Sequence, residues 1–350
     1  MSSAYTERLK IVKIEFNEIL KAQLEAYPLC EPQDLGKLAY QSEFGPEHII
    51  ESADLALKNI LTELSDMALP CSPEKPEYIG GGLYRVPLSL VKSRTEAELF
   101  SKMMLLTAQK HKGSREGIVE KAEALRAFEL PDMLSWLEAW KDRDYCPLRH
   151  SEGYRSAYKP HYRLIDSRFI PLLPFLSALC MKLESKERVI ISIDGRCGSG
   201  KTSLAALLAE LFDCNTVHMD DFYLPPSRRA ENWRQIPGGN IDFDRILSEL
   251  MEKSEYNAYS CQHGTLSQKD FDPALPLTII EGSYSQHPKL RGFYDLTLFI
   301  NCSEDIRMER LRKREGDYFR EFERTWIPAE EFYLKSCGVE EKADFSLNQA

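Results

Sequence analysis

Apolar residues recur at helical spacing through the first half of the chain, as at Ile11, Ile14, Phe16, Ile19 and Leu20. The same period predicts helices over residues 47–64, 95–109, 116–128 and 132–140, because side chains three and four positions apart share a helix face. Residues 78–86, Tyr-Ile-Gly-Gly-Gly-Leu-Tyr-Arg-Val, break that rhythm and read as a glycine turn joined to a short strand. The pattern changes again at 149–168, where Arg149, His150, Arg155, Lys159, His161, Arg163 and Arg168 alternate with Tyr154, Tyr158 and Tyr162. Pro160 interrupts any helix there. This stretch reads as a connection between domains whose tyrosines pack on the second one. A basic, aromatic arm that reaches an anionic ligand is the other reading.

From residue 170 onward the chain alternates uninterrupted apolar runs with helical segments. Strands are predicted at 189–194, 216–219, 277–281, 296–301 and 344–347, and helices at 170–185, 202–212, 243–252, 303–314 and 318–336. Continuous runs such as Leu277-Thr278-Ile279-Ile280 suit strands buried on both faces of a parallel sheet. A chain of 350 residues also exceeds a typical single core. The expected organisation is a mainly α-helical domain over residues 1–168, followed by an α/β domain over residues 169–350 with a parallel sheet and flanking helices.

Between the first predicted strand and its helix lies Gly195-Arg196-Cys197-Gly198-Ser199-Gly200-Lys201-Thr202, followed by Ser203. Its glycines let backbone N–H groups turn inward around phosphate oxygens. Lys201 brings a point charge to the outer phosphates, Thr202 offers a hydroxyl to Mg²⁺, and the helix adds its positive N-terminal end. The residues from Gly195 to Ser203 are therefore expected to bind a nucleoside triphosphate. The glycine triplet at 80–82 has no following Lys-Thr and reads as a flexible turn.

Composition narrows the setting. A formal charge of −10 argues against a nucleic-acid partner, which needs clustered cations. The nine cysteines are scattered, odd in number and without a CxxC pair, so they suggest neither a disulfide framework nor a zinc site. Cys197, inside the phosphate loop, reads as a passive small residue. Charged residues interrupt the apolar positions of residues 1–21, and the apolar stretch 170–181 carries Pro171 and Pro174 and is too short for a membrane span. A cytoplasmic protein with no membrane partner is expected, and self-association is left open.

Three strand ends carry polar residues, where ligands of open α/β sheets sit. Asp220 lies nineteen positions after Lys201, one helix and one return strand away, and can take the proton of an attacking hydroxyl. Asp221 is expected to help hold magnesium or orient the turn, and His218 to be a packed strand residue. Glu281 ends the 277–281 strand, with Gly282 leaving space beside it, and can support a metal shell. In 305–314, Arg307, Arg310 and Arg314 fall on one helical stripe and can neutralise charge on a transferring phosphoryl group.

Taken together, the octapeptide after Asp194, the Asp220-Asp221-Phe222-Tyr223 exit, Ile280-Glu281-Gly282 and the arginine stripe resemble the uridine kinase and phosphoribulokinase group of P-loop kinases over residues 188–347. The resemblance implies a P-loop NTPase sheet, ATP as co-substrate, Mg²⁺ and a small-molecule acceptor. It implies Asp220 as catalytic base, with Lys201, Glu281 and Arg310 in the catalytic set and Arg314 at the nucleotide. Asn240-Ile241-Asp242 is similar to the segment whose Asp contacts sugar hydroxyls, so Asp242 joins Tyr223, Tyr256, Tyr259 and Arg307 as acceptor-binding candidates. Metal candidates are Thr202, Asp221 and Glu281. The sequence departs from the family at Pro225-Pro226-Ser227-Arg228-Arg229 through Trp233-Arg234, an insertion-like stretch, and at Phe243-Asp244, which replaces a His-Pro pair. A kinase with a nucleoside-like or other small polar acceptor is the expected activity. The alternative is a P-loop ATPase or nucleotide sensor with a protein partner.

Overall fold

The computed structural model describes residues 3–46, 50, 52–67, 71–253, 255–260 and 263–349, in two units, Met1–Leu173 and Pro174–Ala350. The first unit contains α1 (Ser3–Ala26), α2 (Pro32–Phe44), α3 (Ala53–Asp66), β1 (Glu77–Gly80), β2 (Leu83–Pro87), α4 (Arg94–Lys110), α5 (Arg115–Leu125), α6 (Met133–Asp142), α7 (Glu152–Tyr158) and β3 (Tyr162–Asp166). Serine starts four of these helices. Ser52, Ser93, Ser114 and Ser151 each accept the backbone N–H three residues on, which satisfies one of the free donors of the first turn.

Helix α2 breaks the expectation from periodicity. It buries Asp34, Gln41 and Ser42 beside Leu35, Leu38 and Ala39, so its inner face carries no clean apolar stripe. Its start is set instead by Pro32 and by the Asp34 carboxylate, which accepts the Glu31 N–H at 3.1 Å. The helix expected from residue 47 begins at Ala53; residues 47–49 and 51 lie outside the described ones.

The 149–168 stretch is corrected by the structure. It forms α7 and the third strand of an antiparallel sheet ordered β1-β2-β3, and Tyr154 is buried in the core of this same unit with Phe16, Leu20, Leu38 and Trp140. It is a core element. Arg85 on β2, 1% exposed, donates from Nε and Nη2 to Gln41 Oε1 (3.1 and 2.9 Å) and from Nη1 to Gln23 Oε1 (2.8 Å). The guanidinium lies 5.0 Å from the Tyr162 ring centre, and Tyr162 meets His150, which in turn meets Asp34. Buried polar groups are tolerated when each donor has an acceptor.

In the second unit, α8 (Leu173–Ser185) starts at the boundary, and five parallel strands follow: β4 (Val189–Gly195), β5 (Cys214–His218), β8 (Leu277–Glu281), β9 (Leu296–Cys302) and β10 (Phe345–Gln349), in the spatial order β10-β9-β4-β8-β5. Helix α9 (Lys201–Leu211) connects β4 to β5 and packs on β4, β5 and β8. A second cluster, including Val217, Ile280, Phe299 and Tyr333, joins the sheet to α13 (Ile327–Cys337).

The helices expected at 243–252 and 318–336 are not continuous. The first is the short α10 (Phe243–Ile246) running into a π-turn over Leu247–Lys253. The second follows α11 (Glu304–Glu315) as a 3₁₀ turn, α12 (Phe319–Glu321), a π-turn over Phe322–Trp326, and then α13. Pro328 at the start of α13 has no N–H to give the preceding turn, which accounts for the widened π-turn. A hairpin of β6 (Tyr256–Ser260) and β7 (Thr265–Lys269) was not foreseen, because β7 is exposed along its length and carries no alternation. The short α14 (Val339–Lys342) leads into β10.

Candidate active site

Strand β4 delivers the chain to the loop at Gly195, whose φ of +147° and missing side chain are both required, since a Cβ would lie 2.2 Å from the Ile300 carbonyl oxygen on β9. The loop ends at Gly200, with φ +101°, directly before α9. Below it the buried Asp194 carboxylate accepts Gly195 N–H (2.7 Å), Gln286 N–H (2.9 Å) and the Tyr333 hydroxyl (2.7 Å). Burial pushes this carboxyl up to about 6, against the pull of those donors and of Lys201. Lys201 Nζ donates to the carbonyls of Gly195 (2.5 Å) and Arg196 (3.0 Å), so the ammonium lies across the loop.

Strand β5 ends at His218, and a single 3₁₀ turn, Met219–Phe222, carries Asp220 into the same cleft. The neighbouring Tyr223, Lys201 and Arg314 favour the ionised form of Asp220. Desolvation by the cleft walls, helped by the charge of Glu281, nonetheless raises the Asp220 carboxyl above its ordinary value. At the end of β8, Glu281 is 3% exposed, and its Oε1 accepts Thr202 Oγ1 (3.0 Å) and faces His218 Nδ1 (2.5 Å). His218 lines the cleft, and its hydrogen bond to Glu281 raises its pKa. It is therefore not the packed strand residue expected from sequence.

Together these strand ends enclose a cleft of about 260 Å³. Cys197, Gly198, Gly200, Lys201, Thr202 and Ser203 line it from the loop, Asp220, Tyr223 and Glu281 from the neighbouring strands, and Arg310 and Arg314 from α11. Arg310 Nη1 also donates to the Gly198 carbonyl at 3.2 Å. Burial pushes the Cys197 thiol far up, which keeps it protonated. Among the described residues no cysteine is in a disulfide.

Several expected site residues are engaged elsewhere. Arg196 turns from the loop interior to Glu331 (2.6 Å) and Glu340 (3.6 Å). Asp221, a metal candidate, is off the cleft lining; its carboxylate accepts the Tyr256 hydroxyl at 3.2 Å and its carbonyl accepts Arg245. Asp242 caps the Arg245 N–H and pairs with Arg228 at 2.9 Å, the partner being supplied by the insertion-like stretch. Tyr256 is buried against Phe222, with ring centres 5.5 Å apart, and Tyr259 sits on the β6 strand of the hairpin opposite Leu266. Arg307, 5% exposed, packs its backbone under Gly198 and does not line the cleft. Conversely, Ser283 and Phe322 line it without having been foreseen. The signal for Ser283 was Gly282, with φ +133° and no room for a Cβ 2.7 Å from Met219 Cβ; nothing local marks Phe322.

The donor set suits magnesium. Thr202 and Glu281 supply a hydroxyl and a carboxylate side by side, and Glu281 Oε2 is buried without a hydrogen-bond partner. Among the described residues no three His, Cys, Asp or Glu side chains gather as a metal cage, and Mg²⁺ characteristically keeps waters and completes its shell with phosphate oxygens.

Numbered along the chain, the five parallel strands run 2-3-1-4-5 across the sheet. With a glycine-rich loop between the first of them and a helix that opens on Lys-Thr, this defines a P-loop NTPase domain. Solved structures similar to this half of the chain include a possible uridine kinase from Bacillus stearothermophilus, 18% identical over 50% of this chain and 99% of that one, with a TM-score of 0.37. Others are the YGR205w protein, 13% identical over 52% and 92% of the two chains with a TM-score of 0.35, and TT1252 from Thermus thermophilus, 20% identical over 47% and 90% with a TM-score of 0.27. No protein-family model and no curated protein matches the sequence. At such scores the fold rests on the strand order and loop of this chain itself. Among the described residues no helix is long and apolar enough to cross a membrane.

Proposed function

We propose that the second unit transfers the terminal phosphoryl group of ATP, with Mg²⁺, to a hydroxyl of a small polar acceptor. The observation that carries this reading is Asp220, which lines the same cleft as Lys201 and the loop. In this reading the loop amides and Lys201 grip the phosphates, Asp220 accepts the proton of the acceptor hydroxyl, and Arg310 and Arg314 offset charge on the group in transit. Thr202 and Glu281 would hold Mg²⁺, which neutralises phosphate charge. Asp242 and Tyr256, the residues that would read a nucleoside, are occupied by Arg228 and by Phe222 and Asp221. That favours a small polar alcohol over a nucleoside.

The test uses labelled ATP with a panel of nucleosides, sugar phosphates, glycerate and pantothenate, followed by Asp220→Asn on whichever compound gains phosphate. The variant should keep ATP affinity within about threefold and lose transfer by roughly 10² or more, the scale of a missing general base. ATP turnover that responds to a protein partner, with no small molecule labelled, would instead establish the ATPase alternative.

A further inference from the structure

Two adjacent acids at the start of α13 reach adjacent residues of the loop. Glu331 pairs with Arg196 at the surface. Glu330 turns inward: it is 4% exposed, both its carboxylate oxygens lie 2.9 Å from the Cys197 backbone nitrogen, and Ser283 Oγ donates to Oε1. Among the described residues no Lys, Arg or His is paired with it. A buried carboxylate without a cation is costly and is kept only where its charge or its acceptors are used.

The position of Lys201 shows which end of a nucleotide this charge faces. Its Nζ lies on the carbonyls of Gly195 and Arg196, the two residues directly before Cys197, and the lysine of such a loop serves the outermost phosphates. The amides at the start of α9, at the other end of the loop, face the inner ones. We propose that Glu330 is a specificity-determining residue, a fixed anion behind the terminal-phosphate position that weakens a triphosphate relative to a diphosphate in the resting site. This rests on the nucleotide reading given above and extends it.

The charge acts where the two nucleotides differ. A diphosphate leaves the Cys197 end of the loop empty, whereas the third phosphate brings further negative charge toward Glu330. The strand exit that carries Ser283 is correspondingly constrained. Its next residue, Tyr284, is buried with φ +74°, a left-handed conformation that a bulky side chain adopts at a cost. Weak holding of ATP in the resting site would limit idle hydrolysis.

Calorimetric titration of the full-length protein with the Mg²⁺ complexes of ADP and of a β,γ-imido ATP analogue tests this. Glu330→Gln keeps an oxygen for the Cys197 N–H and Ser283 hydroxyl but removes the charge. It should tighten the triphosphate analogue about tenfold while moving ADP by less than about threefold. Glu330→Asp, which draws the charge back by one methylene, should shift the ratio in the same direction by a smaller factor, and thermal melting establishes that each variant is folded. Parallel changes for both ligands, or weaker binding of the triphosphate analogue alone, would mean a structural role and overturn the proposal. So would an unchanged ratio in folded Glu330→Asp if Glu330→Gln does not fold. If the unaltered protein binds neither nucleotide, the phosphotransfer reading fails first and this inference with it.

Discussion

Gly195 shows how tightly single positions are fixed at the phosphate loop. A methyl group there would stand 2.2 Å from the Ile300 carbonyl oxygen, and φ +147° is unfavourable for any other residue. Gly264 in the β6–β7 hairpin has φ +67° but nothing within 4 Å of an added Cβ. Gly195→Ala should therefore cost about 3 kcal/mol or more, and Gly264→Ala about 1 kcal/mol, because only the first adds a clash to the backbone strain. Urea unfolding of the two variants checks the contrast, and equal losses would show that φ alone sets the cost. The loop was legible in the sequence because its chemistry is local: glycine spacing, Lys201 and Thr202 are contiguous. Asp242 and Tyr256 were not, because what occupies them, Arg228 and the Phe222–Asp221 turn, comes from chain 14 or more residues away in sequence.

Elements were legible where one physical signal dominated. The strands β4, β8 and β9 are continuous apolar runs and could be read directly, whereas α2 hides its inner face behind Asp34, Gln41 and Ser42. Gln41 is buried for a reason that only the fold supplies, since it accepts two of the Arg85 N–H groups. Gln41→Ala should leave a buried guanidinium short of acceptors and cost about 3 kcal/mol. Arg85→Met, which removes the charge and fills the space with apolar volume, should cost less, because amide groups are cheaper to leave unpaired than a cation. The measurement is chemical denaturation followed by near-ultraviolet circular dichroism, which reports the Tyr154, Tyr162 and His150 surroundings of this network. A larger loss for Arg85→Met than for Gln41→Ala would mean that the guanidinium contributes net stability rather than merely being tolerated.

Across the molecule, several shifted titrating groups set how stability follows pH, and they are divided unevenly between the units. In Met1–Leu173, burial pushes His150 down to about 4, with Arg85 and Lys37 adding to the shift and Asp34 opposing it. The unfolded chain takes up a proton at this site from about pH 6.5 downward while the folded one does not. Stability is therefore lost as pH falls from 6.5 toward 4, by about 2 kcal/mol between pH 7 and 5. In Pro174–Ala350, Asp194 works the other way: its folded-state value of about 6 lies above the ordinary 3.8, so the folded state holds the extra proton. That group gains about 1 kcal/mol on the same descent. His287, pushed down to about 4 by burial and by Lys289, offsets it within the same unit. The raised His218 and Asp220 add to the gain from Asp194 in that unit, so acidification to pH 5 should loosen the first unit and spare the second. Amide hydrogen exchange read by mass spectrometry separates the two, after correction for the intrinsic pH dependence of exchange, because peptides from α2 and from β4 report on different cores. His150→Asn, which can still donate to Asp34, should flatten the response of the α2 peptides. If those peptides keep their acid sensitivity in the variant, the proton responsible binds elsewhere.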